Sequence, residues 1–266
     1  MHTTVFIACA DDSMGKADRS TLSQQTLMEI FIFELDDLRK IEEICGSRDD
    51  PGEVCQWRGV KCNRDGEVQE FCCVDARRIG AGTLGFEFIP YGMKHLDMRY
   101  NALSGPIKLA ELPPKMETLY LLDNQLTGSL GLDHLPPAMQ EIDLSTNKFT
   151  GEISLDGLPD KMKYLNLSTN QLSGAISLIS LPPAFYYLDL ENNNFEGSLD
   201  FTRLPDSLEG IGLFHNLFSG TIDLRYLPQA LQQLDARCND LSGTVRMPPN
   251  DFIYLDGNAK LTVEII

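Results

Sequence analysis

A chain of 266 residues, 42% of them hydrophobic, can bury a core as one domain or two, so composition alone excludes few globular classes. Its 22 Lys plus Arg against 39 Asp plus Glu leave a formal charge of −17, which disfavours nucleic acid and anionic lipid as partners and favours basic ones. No apolar run approaches the roughly 20 residues that cross a bilayer, so no membrane span is predicted.

Residues 1–20 form a leader. Within it, Thr3 to Ala10 is a short apolar stretch ending in Ala8-Cys9-Ala10, the small-x-small pattern of a signal-peptidase site, although no Lys or Arg precedes it. The segment reads either as the tail of a signal peptide or as a disordered leader. Residues 21–88 read as a cap. Thr26-x-x-Glu29 has the form of a capping box, and Met28, Phe31, Leu35, Leu38, Ile41 and Cys45 follow at helical spacing until Gly46 supplies a stop. Next comes Cys55-Gln-Trp57-Arg-Gly59-Val60-Lys-Cys62. A zinc site is one reading of clustered cysteines, but no C-x-x-C or nearby His supplies ligand spacing. Val68, Phe71 and Cys73 have the spacing of a first, irregular strand. Cys45 could bond Cys72 or Cys73, and strand parity favours Cys73 as the inward one.

Residues 89–249 repeat. Asparagines stand 23 apart at Asn101, Asn124, Asn147, Asn170, Asn193, Asn216 and Asn239, and a glycine follows each by four residues, from Gly105 to Gly243. Prolines keep the same interval from Pro90 to Pro228. Each unit reads L-P-x-x-L-x-x-L-x-L-x-x-N-x-L-S-G-x-I-x-L-x-x, as in Leu158 to Ser180. The alternating Leu165 and Leu167 have the period of two that sends both side chains to one face of a strand. One such coil cannot bury its leucines alone, so seven coils must stack, strand on strand, into a parallel sheet. The asparagine ends the strand and can satisfy buried backbone groups. Ile176 and Leu178 predict a second short extended segment across the coil, and Phe149, Phe195 and Phe218 predict an internal aromatic spine. Residues 250–266 carry a truncated last coil, with Phe252 to Leu255 and Asn258 standing in for strand and asparagine.

The unit resembles the leucine-rich-repeat family, in its N-x-L-S-G-x-I form, and the cysteine element is similar to the C-x-W-x-G-V-x-C of that family's N-terminal cap. The period of 23 instead of 24, and the I-x-L in place of I-P, depart from the plant form. The resemblance implies an α/β repeat solenoid: a curved superhelix with a concave parallel β-sheet, mostly irregular or short extended segments on the convex side, and a helical N-terminal cap. It also implies that Cys55 and Cys62 pair, that Trp57 packs in the cap, and that the protein binds others, as receptor ectodomains and inhibitors of the family do. With seven cysteines one at least stays unpaired, and Cys238 is the expected free thiol.

No catalytic constellation is found. His2, His95, His134 and His215 are dispersed, and no nucleophile, metalloprotease, P-loop or dinucleotide motif occurs, so neither enzyme activity, metal nor cofactor is predicted. Asp97, Asp143, Asp189 and Asp235 recur between the strand leucines, but Tyr120, Asn166 and Gly212 interrupt any metal column, and these aspartates are expected to be solvated strand residues. The surface that varies from coil to coil is the outer side of the inner sheet. There the sequence places Tyr100, Tyr120, Leu122, Tyr164, Tyr186, Tyr187 and Phe214 among Asp123, Glu141, Asp143, Asp189, Glu191 and Glu209, with Lys163 the nearby cation. The expected site is Tyr120, Tyr164, Tyr187 and Phe214 with Glu141, Asp143, Asp189 and Glu191 on its rim. It suits a protein or peptide ligand that is basic with apolar anchors. The expected setting is extracellular or the cell surface, with a cytoplasmic one as the alternative. A structural coat protein that self-associates laterally is the rival function. Asn166-Leu167-Ser168 is a glycosylation sequon on the same face.

Overall fold

The computed structural model describes residues 21–35, 38–74, 85–247 and 251–265; the leader, with Ala8-Cys9-Ala10, lies outside them. Two parallel sheets run the length of a solenoid. One has ten strands. It opens with an antiparallel pair, Val60–Cys62 (β1) and Val68–Cys72 (β2), and continues in parallel from His95–Asp97 to Ile253–Tyr254. Register is strict, so Leu96, Leu119, Ile142, Leu165, Leu188, Ile211 and Leu234 form one inward row. Every member of that row is fully buried. Each contributes about 1.5 to 3 kcal/mol by leaving water, a gain that only a stacked neighbour can realise.

The second sheet has eight strands, from Ser104–Pro106 to Lys260–Ile265. It does not form on the segment expected for it. In the fourth coil the strand is Gln171–Ala175, immediately after the asparagine, while Ile176 and Leu178 are buried in the irregular stretch that follows. The asparagine is the reason. Its side chain accepts from the second strand of the preceding coil: Asn170 Oδ1 takes the Phe149 N–H at 3.0 Å and Asn193 Oδ1 takes the Leu172 N–H at 3.0 Å. At the other end Asn170 Nδ2 donates to the carbonyls of Leu144, Leu167 and Ser168 at 3.0, 3.1 and 3.3 Å. Each asparagine thus ties its own coil to the one before it. Asn258 repeats the pattern for the shortened last coil, bonding Leu241, Ala236 and Leu255.

The residue before each ladder asparagine carries a feature with no sequence signal. Tyr100, Asp123, Thr146, Thr169, Asn192, His215 and Cys238 all have φ between 53° and 58°, the left-handed region that side chains resist. None is glycine. Their N–H groups continue the ladder, as Thr169 does to the Glu191 carbonyl at 2.8 Å, and these bonds hold the turn in place. Thr169 is β-branched, so we expect Thr169→Gly to stabilise the fold by about 0.5 to 1 kcal/mol despite the greater freedom of the unfolded chain. A denaturant melt reads this directly, and a loss of stability would mean that the threonine side chain contributes more than its backbone costs.

Two expectations about packing are corrected. Phe195 and Phe218 stack at 6.3 Å, but Phe149 does not join them, because Leu172 occupies the same position in the intervening coil and separates the rings. The cap contains two helices where one was expected. Gln24–Phe33 (α1) is capped by Ser23, which accepts from the Thr26 N–H, so the capping residue lies three positions before the expected box. Leu38–Cys45 (α2) follows as a separate helix, with Leu38 exposed. Gly46, at φ 90°, ends it. Cys55 and Cys62 are disulfide-bonded. Trp57 is buried and donates to the Gly52 carbonyl. Cys45 and Cys73 are both buried, Cys72 and Cys238 exposed, and all four are free thiols. Burial pushes the Cys73 thiol up to about 11, so it stays protonated at neutral pH.

Candidate functional site

The outward positions of the ten-stranded sheet form three columns. Glu141, Tyr164, Tyr187 and Gly210 stand side by side in the first, and Tyr120, Asp143, Asn166, Asp189, Gly212 and Asp235 in the second. Two residues further along each coil, Arg99, Leu122, Ser145, Ser168, Glu191, Phe214 and Arg237 make the third. Tyr100 and Asp123, expected among the outward residues of the strands, follow the third column as the left-handed residues of their turns.

The second column is largely a backbone device. Asp143 Oδ1 accepts the Ser145 N–H, Asn166 Oδ1 the Ser168 N–H, Asp189 Oδ1 the Glu191 N–H and Asp235 Oδ1 the Arg237 N–H, each at 3.0 or 3.1 Å. A carboxylate or amide here caps the residue two along, where the strand bends outward. The expectation of solvated aspartates therefore fails for two of the four, since Asp143 is 8% exposed and Asp235 3%, while Asp97 and Asp189 are half-buried. Among the described residues no three His, Cys, Asp or Glu side chains converge as a metal site. Asn166, whose side-chain oxygen also accepts from the Ser168 hydroxyl at 2.8 Å, is occupied in the same local way.

Of the four expected aromatic residues, two stack on one another and the other two make contacts of their own. Tyr164 and Tyr187 stack at 5.4 Å with an interplanar angle of 10° at the centre, and Tyr186 tilts against Tyr164 at 6.2 Å. Tyr120 lies towards one end, donating to Glu141 beneath the Arg99 guanidinium. Phe214 lies towards the other, with Arg237 over its ring at 5.3 Å. Both arginines are engaged by aspartates two residues before them, Asp97 and Asp235. Lys163 donates to Gln140 at 2.9 Å. The centre thus holds uncompensated negative charge.

Gly210 and Gly212 shape that centre, and their role is not evident from the sequence pattern beyond their unusual place on a strand. A Cβ at Gly210 would lie 2.6 Å from the Tyr187 ring, and one at Gly212 would lie 2.8 Å from Asp189 Oδ1 and 2.9 Å from Glu191. The missing side chains let Tyr187, Asp189 and Glu191 lean across the neighbouring coil, where they are half-buried. Burial pushes the Asp189 carboxyl up to about 6, with Asp143 adding to it, and pushes Glu191 up to about 7, with Asp189 and Asp235 adding and Arg237 opposing. Both groups are more easily deprotonated in the unfolded chain. Their contribution is therefore absent below about pH 4, grows more destabilising as pH rises from there towards about 6 and 7, and levels off above those values. We expect the melting temperature to rise on acidification from pH 8 to pH 5.5, and Asp189→Asn with Glu191→Gln to flatten that dependence. An equal slope in the double variant would assign it to general charge repulsion.

No family model matches the chain, and no curated protein resembles it closely enough to match. Solved structures do. The crystal structure of a plant ice-binding protein aligns with a TM-score of 0.50 at 20% identity, covering 91% of this chain and 97% of that one. Pollen Receptor Kinase 3 aligns with a TM-score of 0.52 at 20% identity, covering 78% of this chain and 95% of that one. The chain has the leucine-rich-repeat fold. At this identity the likeness concerns architecture alone. The leucine-rich-repeat frame accounts for the leucines, the asparagine ladder and most second-column aspartates. It leaves the tyrosine stack, Glu191 and the two glycines without a folding role.

Proposed function

We propose that this leucine-rich-repeat chain is a recognition protein, secreted or displayed at the cell surface, that binds a basic protein or peptide segment through its concave sheet. The observation that carries the reading is the stacked Tyr164–Tyr187 pair beside Asp189 and Glu191. A carboxylate with a raised pKa is one short of a cation. A lysine or arginine side chain from a ligand would supply it while lying against the tyrosine faces, a geometry worth about 1 kcal/mol or more where water is excluded. Tyr120 and Phe214, each already beneath an arginine, would bound the footprint at its two ends. The Cys55–Cys62 disulfide in the cap supports an oxidising setting.

Binding of this kind has two signatures. It weakens as salt rises, because the attraction is between charges near the surface. It also weakens as pH falls from about 7 to below about 6, as Glu191 and Asp189 take up protons. Calorimetric titration with a panel of lysine- and arginine-containing peptides, some with aromatic or aliphatic anchors, tests both at once. Equal affinity for acidic peptides, or binding indifferent to salt and pH, overturns the reading.

A further inference from the structure

The concave sheet shows twice how this frame holds a guanidinium. Arg99 donates from Nε to Asp97 Oδ1 at 2.9 Å and from a terminal nitrogen to Oδ2 at 2.8 Å, and its guanidinium carbon lies 5.4 Å from the centre of the Tyr120 ring. Arg237 repeats this on Asp235, with Nε to Oδ1 at 2.9 Å and a second bond to Oδ2, at 5.3 Å from both the Phe214 and Tyr254 rings. In each case the arginine stands two residues after its aspartate, and a ring occupies the second column of the next coil. The coil of Asp189 departs from this pattern at two positions. Glu191 stands where those coils have arginine, and Gly212 where they are followed by a ring. With no side chain at 212, Asp189 Oδ1 and Glu191 Oε1 converge: they would lie 2.8 and 2.9 Å from a Cβ placed there. Both oxygens are thus close enough for one planar cation to bond the two. Asp143, the other aspartate between the two arginine coils, is instead engaged by the Ser145 hydroxyl at 2.6 Å.

We propose that the cation recognised on this face is an arginine side chain of the ligand, whose guanidinium bonds Asp189 and Glu191 over Gly212 in the manner of Arg99 and Arg237. The assignment rests on the proposed reading of the concave sheet as a site for basic segments and narrows it to one side chain. Gly210, Gly212 and Phe214 are successive outward residues of one coil, and the Tyr187 ring crosses Gly210. A guanidinium over Gly212 therefore has a tyrosine on one side and a phenylalanine on the other. Its edge meets the carboxylates as a fork while its faces stay free for the rings. Lysine brings a point charge on a flexible stem, which supplies neither the fork nor the flat face.

Calorimetric titration of the full chain with short peptides that carry a single arginine, and with the same peptides carrying lysine or citrulline in its place, tests the assignment. The arginine peptides should bind about tenfold tighter than the lysine ones, and the citrulline ones should give no measurable heat. Arginine and lysine peptides of equal affinity, still weakened by salt, overturn the assignment and leave the basic-segment reading standing; no binding by either removes both. The protein also permits a measurement without ligand. Glu191→Arg reproduces the sequence of the two arginine coils, so the introduced guanidinium should bond Asp189 and raise the melting temperature by about 2 to 4 °C, as a gained bidentate pair does in a chain of this size. The same variant should lose arginine-peptide binding. Glu191→Lys brings the same charge without the fork and should raise the melting temperature less. Equal stabilisation by the two variants, or arginine peptides that bind the Glu191→Arg protein undiminished, would overturn the proposal.

Discussion

Replacing Asn170 by alanine should destabilise the protein by about 1 to 3 kcal/mol, while Gln171→Ala beside it changes little. The asparagine satisfies the Phe149 N–H and the Leu144 and Leu167 carbonyls at 3.0 to 3.1 Å, and all of these lie in the interior between two coils. Alanine removes the side chain without releasing those groups to water: the Leu144 and Leu167 carbonyls keep one donor each, from Asn147 and Asn193, but the Phe149 N–H is left buried and unpaired at about 1 to 3 kcal/mol. Gln171 opens the second strand with its side chain in solvent. Denaturant melts of the two variants give the comparison. Equal effects would mean that the coils are held by leucine packing alone.

The second large effect concerns binding. Once a peptide ligand is in hand, Tyr187→Ala and Tyr164→Ala should each cost about 1 to 3 kcal/mol of affinity with melting temperature unchanged. The two rings stack on one another on the outer face of the sheet, opposite to the buried leucine row, so truncation removes contact area on that surface and leaves the leucine row in place. Tyr120→Ala is the informative companion. That ring is already engaged by Glu141 and Arg99, so its truncation should matter less. Unaltered affinity in both central variants, or a glycan carried on Asn166, would move the site to the convex side or the cap.

The parts of the fold legible in the sequence are those where one physical demand recurs at one position. Leucine pairs at a spacing of two announce strands, and an asparagine every 23 residues announces that something buried needs it. What the asparagine bonds to was not legible, and so the second strand was expected near Ile176 instead of at Gln171–Ala175, where Asn193 reaches the Leu172 N–H. The left-handed residues escaped notice for a related reason: threonine, tyrosine and histidine do not advertise positive φ, and only hydrogen bonds to the next coil impose it. At the site, alternation correctly puts Tyr120, Tyr164 and Tyr187 on the outer face of the sheet. It does not show that the column of aspartates caps the backbone, or that Gly210 and Gly212 let Tyr187 and Glu191 lean across. Both depend on contacts between coils, which a pattern within one coil does not contain.

The direction of the asparagine bonds bears on how the molecule is made. Every ladder asparagine reaches back, never forward: the Phe149 N–H waits for Asn170, the Leu172 N–H for Asn193, and the Leu241 N–H for Asn258. A coil is thus completed by its successor. As the chain leaves the ribosome from its N-terminus, the growing tip always consists of one unfinished coil resting on finished ones, and the unsatisfied groups are handed along by one unit each time another 23 residues emerge. Loss of a whole unit from the middle would leave that relay intact, whereas a stop within a coil would strand its predecessor half-bonded. The coil of Asn258, four residues shorter than the period, keeps its asparagine and so completes the Leu241 N–H of the coil before it in the same way.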